Sequence, residues 1–189
     1  MGEEGLKEVR NPSAIFLARA AEPAPGSIVM VARDSGRALL IELQALVDRM
    51  RFGAPRRVAQ GLDANRLAML LAILSRHAGV SLQEHDVFAN VVGGLTLAET
   101  ATDLPLVLAL ASSLRDRPLP QVLVAFGEVG LTGEVRPVAY GEERLREAAK
   151  QGFKGAVVPQ GNVPRKPIEG LAVRGVSRVT EAIAAAEAV

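Results

Sequence analysis

The stretch ETATDLPLVLALASSLRDR, Glu99 to Arg117, constrains this chain more than any other. It opens as a polar loop, starts a helix at Thr102-Asp103, and places Pro105 in the first turn, where a missing N–H costs little. The helix is predicted from about Asp103 to Arg115. Its Leu106, Leu108, Leu110 and Leu114 belong in a core, so the rest of the chain must supply the layers that bury it. A polar lead-in and a Thr-Asp start also suit a catalytic helix, yet Leu106 stands where a nucleophile is wanted. Two readings are open: a catalytic element without its chemistry, or an ordinary buried helix.

Strands and helices intermix around this stretch. SIVMVAR and ALLIELQALV, joined by DSGR, read as a hairpin, and DRMRFGAPRRVAQG as an Arg-rich loop. Asp63 is an N-cap candidate for a helix in which Leu67, Leu70, Leu71, Leu74 and Ala78 fall at offsets 0, 3, 4, 7 and 11 before Gly79. DVFANVV reads as a strand, and QVLVAFGEV and GEVRPV as strands around the turn GLTG. GEERLREAAKQG is a capped amphipathic helix, KGAVVP and LAVRGV are strands, and SRVTEAIAAAEAV is a final helix. Residues 1–26 read as a tether, with a short helix at NPSAIFLARA broken by AEPAPGS. The short connections describe one α/β or α+β domain without internal repeats.

A chain of 189 residues suffices for one sizeable domain or at most two small ones. With 49% hydrophobic but only 3% aromatic residues, Leu, Val, Ala and Ile must fill the core. No apolar run is long enough to span a membrane, and MGEEGLKEVR is not a signal peptide, so no membrane partner is expected. Without cysteine, disulfides and thiolate metal sites are excluded, and a reducing cytoplasm is the default location. His77, near a helix end, and His85, in a loop, read as surface or capping residues, and no metal site is expected.

Net charge is +1, but the positive residues are 18 Arg and 4 Lys. Base composition or a hot habitat explains such a skew, and so does phosphate recognition, for which a guanidinium fork is well shaped. Within Asp48 to Arg66, five arginines (Arg49, Arg51, Arg56, Arg57, Arg66) face only Asp48 and Asp63. The loop is either solvated, with its arginines paired to nearby carboxylates, or a phosphate-binding surface. Phe52 is its only aromatic residue, so base stacking is not suggested.

From about Gly26 onward the chain resembles the C-terminal Lon-protease-like domain of the bacterial RadA (Sms) family, DNA-repair paralogues of RecA. The residues that carry the resemblance are FGAPRRVAQGLDANRLAMLLAILSRHAG, DVFANVVGG, FGEVGLTGEVRPV and EAAKQGFKGAVVP, in order over most of the chain. GLKEVRNPSAIFL is similar to the segment that joins the ATPase core of that family to this domain. The resemblance thus implies a truncated chain: residues 1–26 a linker from a missing ATPase core, and 27–189 the Lon-like domain. The implied fold is the α+β Lon proteolytic-domain fold, related to the second domain of ribosomal protein S5, in a hexameric ring.

Lon proteases attack with a Ser in a DGPSAG motif, activated by a Lys whose pKa an apolar pocket must depress. Laid on this sequence, DGPS falls on Asp103, Leu104, Pro105 and Leu106, and the segment carrying the Lys falls on AYGEERL, placing Glu142 at the Lys position. Both members of the dyad, at Leu106 and Glu142, are replaced. Ser112 and Ser113 lie roughly 9–10 Å further along the helix, out of reach of the vacated position. Thr102 and Asp103 then revert to structural roles, one of them capping the helix.

The family as a whole implies ATP, Mg and Zn, but VVGGL and VGLTGEV lack the Lys-Ser/Thr of a phosphate loop, so no cofactor is expected on these residues. The resemblance implies DNA as a partner, single- and double-stranded and without sequence preference, together with self-assembly and RecA engaged through the whole protein. The DNA-binding candidates are Arg51, Arg56, Arg57 and Arg66, with Arg136 and Arg144 behind them. A purely structural scaffold is the alternative, and an active Ser-Lys peptidase fails at Leu106 and Glu142. Magnesium-chelatase-like ATPases carry a related Lon-like domain, so fold alone does not assign function.

Overall fold

The structure, a computed structural model, describes residues 22–34 and 36–188. The expected linker and its short helix lie almost wholly outside the described residues. β1 (Ser27–Asp34) and β2 (Arg37–Arg49) form the expected hairpin, with Ser27 opposite Gln44 and Asp34 opposite Arg37. β2 pairs antiparallel with β4 (His85–Val91), which pairs parallel with β3 (Arg57–Gln60). Beyond β1 follow β5 (Leu123–Ala125), β8 (Gly155–Pro159) and β9 (Ala172–Val176), each parallel to its neighbour. The sheet order is β3-β4-β2-β1-β5-β8-β9, and β6 (Glu128–Val129) and β7 (Val135–Arg136) form a separate two-stranded sheet.

The helices are α1 (Ala64–Ala78), α2 (Asp103–Arg115), α3 (Gly141–Lys150) and α4 (Val179–Glu187). Parallel neighbours need crossovers, and α1 supplies one from β3 to β4 while α3 supplies one from β5 to β8. The architecture is therefore mixed α/β with a parallel-rich sheet, where α+β was expected. Among the described residues no helix is long and apolar enough to cross a membrane.

α1 follows its apolar spacing. Asp63 Oδ1 accepts from the Arg66 N–H at 2.7 Å, Gly79 closes the helix at φ +65°, and Leu67, Leu70, Leu71 and Leu74 are buried. α2 is buried along its length from Asp103 to Ser112, as its all-round apolar sequence requires, and packs on β1, β2 and α4. Leu40 and Ile41 point to opposite faces of β2 and both are buried, so the sheet is covered on both sides at this point. The helices in contact with β1 and β2 there are α2 and α3.

Several expectations change. The Arg-rich segment is not all loop: β2 runs on to Arg49, and Arg57–Gln60 becomes β3, too short for its alternation to register in the sequence. QVLVAFGEV is not one strand, because the chain turns at Gly127 (φ +154°) and passes from one sheet to the other. His85 opens β4 instead of lying in a loop, and its Nδ1 is buried without a hydrogen-bond partner. α3 starts without a side-chain cap, from Tyr140 at φ +61°.

The turn from β3 into α1 depends on Gly61, at φ +72°, where an added Cβ meets the Leu95 carbonyl oxygen at 2.2 Å. Gly61→Ala is expected to destabilise the fold by about 1–3 kcal/mol from backbone strain alone, before any cost of the clash. A lower urea midpoint at unchanged m-value checks this.

Candidate functional site

The N-terminal turn of α2 carries the position at which the sequence comparison expects a nucleophile. Leu106 is 3% exposed there and belongs to the core. Glu142 lies in the first turn of α3, exposed, and accepts from Arg146 at 2.6 Å. Neither nearby serine is available. Ser112 Oγ accepts from the Gly26 N–H at 3.0 Å and donates to the Arg117 carbonyl at 2.5 Å, while Ser113 Oγ accepts from the Val47 N–H at 2.9 Å. Both pin α2 to the sheet.

Asp103 is fully buried and caps nothing. Its Oδ1 accepts from Arg66 Nε at 2.8 Å, and its Oδ2 accepts from Arg66 Nη2 and from the Val129 N–H at 3.0 Å. Arg66 Nη2 also donates to the Val129 carbonyl at 2.8 Å. Burial pushes the Asp103 carboxyl above its ordinary value, against the pull of Arg66 and the Val129 N–H. The hydrogen bond to Asp103 holds Arg66 firmly cationic. Thr102 makes no side-chain cap either, because its Oγ1 donates back to the Glu99 carbonyl at 2.7 Å. A cavity of about 210 Å³ lies beside Leu106, walled by Leu62, Leu67, Leu70 and Leu97, with Arg66 and Asp103 also lining it.

A second charged group stands close by. Arg144, 3% exposed, donates to both oxygens of Glu99 and to the Val31 carbonyl. Glu99 Oε1 also accepts from the Arg33 N–H at 2.9 Å. Sequence reasoning missed Glu99 entirely, since nothing in its neighbourhood announces partners on β1 and α3.

The candidate arginines separate into two sets. Arg66 and Arg144, expected at a DNA-facing surface, are engaged within the protein: Arg66 with the buried Asp103 and the Val129 carbonyl, Arg144 with Glu99 and the Val31 carbonyl, so reaching a phosphate means abandoning those partners. Arg57 donates to the carbonyls of Arg56, His85 and Leu82, stitching β3 to the loop before β4. Arg56 remains 69% exposed while it donates to Asp86 at 2.7 Å, which holds the Asp86 carboxyl below its ordinary value. Arg51 is exposed on the β2–β3 loop, and Arg49 beside it is exposed at the end of β2. Neither makes an ion pair among the described residues. Arg136 stands apart on β7, in the smaller sheet, paired with Glu134 at 2.5 Å.

The family model described as subunit ChlI of Mg-chelatase matches residues 66–162, a span that holds Arg66, Glu99, Asp103, Leu106, Glu142 and Arg144. The DNA repair protein RadA of Salmonella typhimurium is 59% identical over 183 residues, which cover 97% of this chain and 40% of that protein. The RadA proteins of Escherichia coli and Bacillus subtilis are 58% and 45% identical, again over 97% of this chain and 40% of their own lengths. The chain therefore spans about two fifths of the length of these relatives.

Arg66→Ala strands a carboxylate in the core and is expected to cost about 3 kcal/mol or more at neutral pH. Since the folded pKa of Asp103 lies above its unfolded value, ionising it costs stability as pH rises between the two. Losing Arg66 raises the folded value further, so the penalty shrinks on acidification. Adding Asp103→Asn to Arg66→Ala recovers part of the loss. Urea denaturation of the single and double variants from neutral to acid pH checks both signs.

Proposed function

We propose, for a chain that belongs to the family of subunit ChlI of Mg-chelatase and is similar over nearly its whole length to RadA proteins, that it is the non-catalytic, Lon-like part of a RadA-type DNA repair ATPase. Its role in this reading is to assemble as a hexameric ring in the cytoplasm and to hold DNA by its phosphates, without sequence preference. The observation that carries the DNA-binding half is the end of β2 with the β2–β3 loop, where Arg49 and Arg51 are exposed without carboxylate partners among the described residues and Arg56 is largely exposed beside them. Six copies of that loop facing one strand give a strong field for phosphates although each chain is nearly neutral.

The non-catalytic half rests on the burial of Leu106, on the Glu142–Arg146 pair and on the spent hydroxyls of Ser112 and Ser113. ATP chemistry does not fit these residues. Gly93-Gly94 is followed by Leu95-Thr96, and Gly130 to Gly133 is the turn of a β-hairpin, with Gly133 packed on His77. The chain also has no cysteine for a four-cysteine zinc site. ATP, Mg, Zn and the engagement of RecA therefore fall, in this reading, to the remaining length of the relatives.

A purely structural scaffold is the second reading, and it is favoured by Arg56 and Arg136 already holding carboxylates. Anisotropy titrations with labelled oligonucleotides over a salt series separate the two. DNA binding predicts an affinity that falls steeply with log salt. Arg49→Ala with Arg51→Ala is then expected to reduce the slope by roughly 1.4–1.8, the value for two lost phosphate contacts. No binding at about 50 mM salt by an assembled ring leaves the scaffold standing.

A further inference from the structure

We propose that the β2–β3 loop is selective for single-stranded DNA, with Phe52 stacked on an unpaired base and Arg49 and Arg51 on the flanking phosphates. This rests on the DNA-binding reading above and assigns its substrate class. Phe52 is 94% exposed, the most exposed of the large apolar side chains among the described residues. A phenyl ring so placed contributes nothing to the core, and its π-face is open to a partner.

The loop that carries it is short and held at both ends. The Met50 N–H donates to the Glu84 carbonyl at 2.9 Å, the Arg56 N–H to Asp86 Oδ1 at 2.8 Å, and the Val87 N–H to the Arg56 carbonyl at 2.9 Å. Gly53 at φ +79° reverses the chain directly after the ring, in space where an added Cβ meets nothing within 4 Å. Pro55 stiffens the return. The ring is thus presented in advance, so little ordering cost falls on binding.

Charge complements this geometry. Arg51 precedes Phe52 directly and Arg49 stands two residues earlier, both exposed and without ion-pair partners among the described residues. Asp48 and Glu84 lie at the base of the loop, and Asp86 is already answered by Arg56. The attraction is confined to the tip, which suits one strand approaching end-on better than the broad flank of a duplex. An exposed aromatic between cations is the arrangement that grips single strands, because every unpaired base offers a face and every nucleotide a phosphate. In a duplex those faces are already stacked.

The test uses the whole chain, a labelled oligo-dT and a duplex of equal length at low salt, with oligomeric state followed by light scattering. Phe52→Ala is expected to weaken oligo-dT binding roughly tenfold while duplex affinity and the salt slope stay unchanged. Phe52→Leu stays weak because it keeps apolar bulk without a π-face. Phe52→Trp restores binding, and as the sole tryptophan in the chain its emission is quenched by oligo-dT. If Phe52→Ala or Phe52→Leu binds oligo-dT like the parent with the same salt slope, stacking is wrong and the phosphate reading survives. Equal loss on single strand and duplex, or a changed assembly state, makes Phe52 a contact between copies and overturns the proposal. Absence of binding by the parent ring removes the DNA reading and this inference together.

Discussion

A carboxylate with no exposed surface has to find its hydrogen bonds inside the protein, and Asp103 finds them on two other elements. Arg66 comes from α1, the Val129 N–H comes from β6, and the same guanidinium returns to the Val129 carbonyl. Three segments far apart in sequence therefore meet at the head of α2. Leu104 adds a backbone tie there, its N–H donating to the Gly127 carbonyl at 3.0 Å where the chain leaves β5 for β6. The central helix, the crossover helix and the small sheet are placed relative to one another by one ion pair. Such a pair gains little over an apolar replacement of the same shape, but half of it is costly to leave behind.

The Glu99–Arg144 pair repeats the pattern one layer away. It fixes the segment before α2 to α3, and through the Val31 carbonyl and the Arg33 N–H it fixes both to β1. Between them the two pairs answer the charges gathered at the N-terminal end of α2. A site for proton transfer needs a group whose charge can change at moderate cost. Here the carboxylates of Asp103 and Glu99 each already have a permanent guanidinium partner. The region is built to hold its shape.

The sequence made the local features legible and hid the distant ones. α1 could be read because its stop, start and apolar stripe all lie within seventeen residues, from Asp63 to Gly79. α2 could be read because a helix apolar on every side has only one place to go. β3 was missed because four residues carry too little alternation, and its strand character comes from β4 beside it. The break at Gly127 was missed because nothing in QVLVAFGEV separates a strand that continues from one that changes sheets. Position alone offers Thr102 or Asp103 as the cap of α2; the partner of the Asp103 carboxylate is thirty-seven residues upstream. Phe52 was discounted as a solitary aromatic, although exposure, not number, decides whether a ring is available.

The arginines carry the same lesson into function. In sequence Arg49, Arg51, Arg56, Arg57 and Arg66 form one basic cluster, and their chemistry is identical. In the fold, Arg66 answers a buried carboxylate, Arg57 answers backbone carbonyls, the exposed Arg56 answers Asp86, and Arg49 and Arg51 make no ion pair among the described residues. The cluster is a gradient from interior to solvent. Its inner members tie β3 to the loop before β4 and α1 to the head of α2, and the outer members and Phe52 extend from that hydrogen-bonded frame. A phosphate-binding tip on a floating loop pays to order itself at each encounter, whereas a tip braced by its own neighbours does not. The inner arginines thus form part of the frame from which Arg49, Arg51 and Phe52 are presented.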